Sequence, residues 1–173
     1  MDDSAGLHEL LRFGTIATVD LAAARCTVDV GDLVSPAIQW IEFRAGRTRT
    51  WSPPSDGEQV LLICPGGDLA AAVALRGLNS DVHPALGDSL RELIEFLDGA
   101  LLAYDPEAHH LDIALPAGAT LAIDASGGIT IKGDIALTGK LTASDDVVAD
   151  NISLKSHLHG NVQAGGAKTG APE

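Results

Sequence analysis

From residue 119 to residue 144 the chain alternates with a period of two, and the alternation survives every glycine in its path. Leu121, Ile123, Ala125, Ile129, Ile131, Ile135, Leu137, Leu141 and Ala143 all stand at odd numbers, and so do Gly127, Gly133 and Gly139. The even numbers are mostly polar, among them Thr120, Asp124, Thr130, Lys132, Asp134, Thr138, Lys140 and Thr142. Successive side chains on a strand point to opposite faces, so one face here is apolar or glycine and the other mostly polar. The phase slips across residues 145–151, and Ile152 and Leu154 resume on even numbers. Hairpins with inserted loops would have no need to hold one phase through their turns.

The residues after this ribbon, 156–173, are mostly Gly, Ala and polar, and provide no element to cover the apolar face. Burying about nine aliphatic side chains is worth very roughly 10–25 kcal/mol before conformational entropy is counted. Left exposed, such a ribbon would also offer open strand edges to any passing chain. The pattern therefore predicts self-association, with identical ribbons winding their apolar faces onto a common axis. Small side chains suit a narrow axis, and no Phe, Trp or Tyr follows Tyr104. A single-chain β-sandwich is the competing reading of the same pattern.

Composition narrows the function classes. A formal charge of −13 argues against a nucleic-acid footprint, which needs clustered Lys and Arg, and against adsorption to anionic lipid. The sequence contains no apolar run of the length a membrane-spanning helix needs. The start, "MDDSAGLHELLRFG", is acidic and lacks the apolar core of a signal peptide. Hydrophobic residues make up 46% but aromatics only 3%, so any core is built from Ala, Val, Ile and Leu. Cys26 and Cys64 lie inside apolar runs and read as buried free thiols.

Ahead of the ribbon, the pattern is one of short strands. Residues 4–12 carry Leu7, Leu10 and Leu11 at helical spacing, which predicts a short helix. From Gly14 the signals change to strands in "TIATVDL", "RCTVDVG", "AIQWIEF", "EQVLLIC" and "AAVALRGL", separated by turns rich in Gly, Pro and Asp. Five such strands suit a small barrel of the oligonucleotide/oligosaccharide-binding (OB) type. "DSLRELIEFL" is read as strand because Asp98-Gly99 signals a hairpin into "ALLAY".

Three stretches together carry a family resemblance. They are "LLRFGTIATVDLAAARCTVDVGDLVSP" with "RAGRTRTWSPPSDGEQVLLICPGGDLAAAVALRGLNSD", the glycine-punctuated repeat of residues 119–155, and "ISLKSHLHGNVQAGGAKTGAPE". With them the chain resembles the baseplate assembly protein V family, the central tail spikes of contractile-tailed phages and phage-tail-like particles. The resemblance implies an all-β homotrimer: an OB-fold collar, an intertwined triple-stranded β-helix and a small apex. On this reading residues 1–12 are an N-terminal arm, 13–80 the collar docking on the tail hub, and 81–118 connecting β-strands. Residues 119–155 are the shaft and 156–173 the apex. Apices of this kind are similar to those that bind an iron ion through two histidines from each chain. Some phage spikes carry a lysozyme domain after the collar, for which this chain has no room.

His157 and His159 are the candidate metal ligands. Two residues apart on a strand, they face one side about 7 Å apart. Three symmetry-related copies supply six imidazoles, which matches an octahedral ion better than four-coordinate zinc and favours iron. The expected role is structural, tying together three chain ends that would otherwise fray. Other readings lack their partners. A phosphate-binding loop needs Gly-Lys-Ser/Thr, but Ala167 precedes Lys168. A cupin-type site needs a Glu a few residues after the pair, and only Glu173 follows. Adjacent His109 and His110 would point to opposite strand faces and read as surface residues; His8 and His83 have no company. Asp145 and Asp146 read as a solvated face, and neither calcium nor chloride has a readable ligand set. Trp40 and Trp51 read as core or hub contact rather than base-stacking platforms.

The expectation is a non-enzymatic spike at the baseplate tip of a virion or phage-tail-like particle, assembled in the bacterial cytoplasm. It would puncture the host outer membrane when the contractile tail fires, with no nucleic-acid partner. A trimeric fibre or adhesin tip is the alternative, but a receptor-binding tip should present aromatics that residues 105–173 lack.

Overall fold

The computed structural model describes residues 9–158 and 165. The chain divides into two compact units, Met1–Thr120 and Leu121–Glu173. Among the described residues its regular secondary structure is nearly all β, with helix limited to Glu9 and Leu10 and two single 3-10 turns, Pro65–Gly67 and Leu69–Ala71.

The first unit opens with β1 (Leu11–Asp20) and β2 (Arg25–Val30), an antiparallel pair. Asp20 turns the corner between them, its Oδ1 accepting the Ala22 and Ala23 N–H groups at 3.0 Å. The strand β1 begins within the stretch expected to be helical. Its first five residues pair with β5 (Gln59–Ile63), Leu11 opposite Ile63, and the Leu10 carbonyl accepts the Cys64 N–H at 2.7 Å. Ladder pairing to a distant strand overrides the local helical spacing at Leu11, and residues 1–8 lie outside the described part.

The short strands β3 (Leu33–Val34) and β4 (Gln39–Trp40), and then β6 (Val73–Leu78), complete a six-stranded sheet in the order β3-β2-β1-β5-β6-β4. β4 runs parallel to β6, with Gln39 opposite Val73. Just before β4, Ile38 exchanges both backbone hydrogen bonds with Cys26 of β2, each 2.9 Å. The sheet thus curls until β2 is joined to the other edge. Inside the curl sit Val28, Val60, Leu62, Cys26, Cys64 and Ala74, all essentially without exposure. Burial pushes both thiols above their ordinary range, so both stay protonated and neither is bonded to the other. At Gly14, β1 passes so close to β2 that a Cβ would stand 2.5 Å from Val28 Cγ1 and 2.7 Å from the Asp29 carbonyl oxygen.

Residues 92–114 form a second, three-stranded antiparallel sheet: β7 (Glu92–Glu95), β8 (Leu101–Asp105) and β9 (His110–Ala114). Of "DSLRELIEFL", expected to be strand, only Glu92–Glu95 is one, and Asp98-Gly99 does form the turn, with Gly99 at φ 83° and Asp98 Oδ1 accepting the Ala100 N–H. Ile94, Leu102 and Ile113 stand in one cross-strand row.

No strand lies between Ala114, near the end of the first unit, and Val148 in the second. Leu121, Ile123, Ile129, Ile131, Ile135, Leu137 and Leu141 are between 58% and 70% exposed. Gly133 and Gly139, six residues apart, adopt φ of 132° and 129°, a region that only glycine enters readily. The expected ribbon thus has its glycine breaks, but no hydrogen-bonded ladder of its own. A two-residue hairpin, β10 (Val148–Ala149) with β11 (Ile152–Ser153), follows it.

A candidate metal centre and an anchored hairpin

His157 is placed by the turn after β11. Its backbone N–H donates to the Ser153 carbonyl oxygen at 3.0 Å, and its Nδ1 lies 2.8 Å from the same oxygen. Ser153 Oγ also accepts the Ser156 N–H at 2.9 Å. Behind this turn stands Asp146, whose Oδ1 accepts the Val147 and Lys155 N–H groups at 2.8 and 3.0 Å. Hydrogen bonding from Ser153, from these N–H groups and from that of Leu154 holds the Asp146 carboxyl below its ordinary range. Asp145 pairs with Lys155 at 2.9 Å on the surface. These carboxylates, read from the sequence as a solvated face, therefore shape the hairpin that leads to His157.

A carbonyl oxygen only accepts, so Nδ1 of His157 is the donor, and in the neutral ring the lone pair then belongs to Nε2. Metal-binding imidazoles characteristically donate their second nitrogen to a carbonyl or carboxylate in this way. The chemistry of His157 therefore fits a metal ligand. His159 lies outside the described residues. Among the described residues of one chain, no group of three or more His, Cys, Asp or Glu converges on a point that could hold an ion. The other described histidines belong to the first unit. His110 contacts Asp112 at 2.8 Å within β9, His109 sits at φ 53° in the preceding turn, and His83 lies in the loop beyond β6.

A polar cluster that sequence reasoning passed over lies at the edge of the curled sheet, around β4 and β6. Glu42 accepts the Trp40 indole N–H at 2.8 Å, the Thr50 hydroxyl at 2.9 Å and the Ser52 N–H at 3.0 Å, with Arg76 3.8 Å away. Burial penalises its charge, but Ser52, Trp40, Thr50 and Arg76 outweigh that and hold the carboxyl below its ordinary range. Arg76 also donates to the Ile41 carbonyl at 2.9 Å and to the Ser52 carbonyl. The Trp40 ring packs on Trp51 at 5.5 Å, tilted by 57°. Trp40 is core, as expected, whereas Trp51 is 58% exposed. The Trp-x-Glu spacing at 40–42 was the available signal, since it puts both side chains on one strand face.

A curled OB-type sheet followed by an aliphatic repeat and a histidine-bearing end defines a class, that of baseplate spikes. Comparison with known proteins agrees. The family model described as the type VI secretion system/phage-baseplate injector OB domain matches residues 12–78, and the GpV Apex motif matches residues 151–173. The spike protein of Escherichia phage P2 is 36% identical over 169 residues, spanning 95% of this chain and 78% of that protein. The chain belongs to the phage baseplate spike family, a structural part of the tail.

Proposed function

We propose that three copies of this chain form a needle that punctures the host outer membrane mechanically when the contractile tail fires. The observation that carries this reading is the aliphatic face of residues 121–141, exposed along its length on a chain that pairs none of this stretch into strands. Backbone groups and apolar side chains in that state gain most from equivalent ribbons of identical chains. Glycines six residues apart with positive φ support a chain that turns regularly around an axis. The collar, residues 13–80, docks on the tail hub, and the shaft over 119–155 is an intertwined triple-stranded β-helix.

At the apex, His157 and His159 of the three chains hold one ion, iron by preference, through six imidazoles. The ion supplies cross-linking charge and no catalysis; the Ser153 carbonyl keeps the His157 ring oriented and in the tautomer that can ligate. The needle works without enzymatic chemistry. Three chains of −13 each resist approach to an anionic surface, so penetration is driven from behind by the contracting tail. The spike sits at the baseplate tip and is assembled in the bacterial cytoplasm. Native mass spectrometry tests the assembly. A species of about 53 kDa, three times the 17.8 kDa chain, is expected, and a stable monomer or dimer at micromolar concentration rejects the reading.

A further inference from the structure

The hairpin between Glu42 and Ser52 carries a charge that the rest of the chain does not. Arg44, Arg47 and Arg49 are three of only eleven Lys and Arg residues, and without them the formal charge of −13 would be −16. All three are exposed, and among the described residues none forms an ion pair, whereas Arg76, Arg91 and Lys155 each do. Beside them Phe43 is 88% exposed, on a chain with only three phenylalanines.

This is a built projection rather than a loose loop. Its root is fixed by the bonds to Glu42 and by the Arg76 clamp on the Ile41 and Ser52 carbonyls. Its tip is closed by the Ala45–Arg49 bridge, with the Thr50 N–H on the Arg44 carbonyl at 2.9 Å and the Gly46 N–H on the Thr48 carbonyl at 3.1 Å. Arginine and aromatic side chains are enriched where protein partners bind most strongly, and order established on folding lowers the entropy lost on binding.

We infer that the 42–52 hairpin docks into a second tail protein, at an acidic surface with an apolar socket for Phe43. Charge selects the occupant. The guanidinium groups want carboxylates, while the strongly negative remainder of the chain repels a polyanion such as DNA. The self-association face at residues 121–141 is aliphatic and uncharged on its apolar side, a chemistry that leaves these arginines for a different chain. The inference rests on the collar being the docking end of the spike.

Photo-crosslinking in the assembling particle tests it. The full-length chain carries Phe43→p-benzoylphenylalanine, or the same residue in place of Leu21 in the β1–β2 turn as a control on another part of the collar. The Phe43 probe should join a second tail polypeptide through a peptide that contains Asp or Glu. Its yield should fall at least about tenfold with Arg44→Glu, Arg47→Glu and Arg49→Glu combined, and stay within about twofold with the corresponding Lys set. The native mass should be unchanged in both sets. Crosslinks confined to a second copy of this chain, crosslinks to DNA, or a yield indifferent to charge reversal would each overturn the inference. Crosslinking from position 21 alone also overturns it while leaving collar docking intact, and crosslinking from neither position removes both.

Discussion

The Nδ1 nitrogen of His157 and its own backbone N–H converge on one acceptor, the Ser153 carbonyl oxygen, at 2.8 and 3.0 Å. The ring is therefore oriented by the fold of a single chain, four residues from its anchor. A metal arriving at the apex would meet an imidazole already in the right tautomer, which lowers the entropy lost on binding.

Substituting His157→Ala together with His159→Ala should abolish metal binding and leave the assembly intact. Elemental analysis of chelator-washed protein should find about one ion per three chains in the natural sequence and none in the double variant. Native mass should stay the same, because the aliphatic ribbon does not include these residues. Metal retained in the variant, or missing from the natural protein, sinks the proposal.

The ribbon is tested by Ile131→Asp with Ile135→Asp, which puts two carboxylates onto the proposed axis. Unpaired charges gathered in an apolar seam each cost several kcal/mol, of the order of the assembly's own stability. Analytical ultracentrifugation should show the mass fall toward that of one chain, with the urea transition of the collar unmoved. The control Thr130→Asp, on the polar face, should change neither.

Glu42 makes the collar acid-sensitive. Its folded carboxyl is held below the ordinary value, so the stability it contributes is full above that value, about 4.3. That contribution is lost as pH falls through the lower folded value. Glu42→Gln should cost about 1.5–3 kcal/mol at neutral pH, the range for hydrogen bonds to a charged group. The gap in urea midpoint between the two proteins should be wide at pH 7 and should narrow at about pH 3. An equal gap at both would assign the loss to shape rather than charge.

Gly14→Ala should destabilise the collar by about 1–3 kcal/mol, since its Cβ would press on Val28 and on the rigid Asp29 carbonyl at once. Urea unfolding followed by the fluorescence of the Trp40–Trp51 pair measures this directly, and a midpoint unchanged from the natural protein would mean that β1 and β2 can part without cost.

Much of the first unit was legible because its signals are local. The runs around Cys26 and Val60 alternate as strands, and Asp98-Gly99 closes the turn that dipeptide favours. What stayed hidden depends on partners far along the chain. Leu11 is a strand residue because of Ile63, the curl is joined by Ile38 meeting Cys26, and Glu42 is held partly by Arg76. At the apex the reverse holds. His157 was singled out by its neighbour His159, yet the residue that orients it, Ser153, lies one helical turn's spacing upstream and could have been sought there. The ribbon announced its apolar face but could not name its cover, and among the described residues that face stays exposed.

The missing ladder between Ala114 and Val148 sets an order of events. The collar can complete its sheet as soon as its own residues have left the ribosome. If three chains share the ribbon, it must wait for company, and dilution would act as a denaturant on that part of the molecule and not on the other. Once wound, each strand could leave only by breaking bonds to two neighbours together, and the needle's endurance would be a matter of rate rather than of equilibrium.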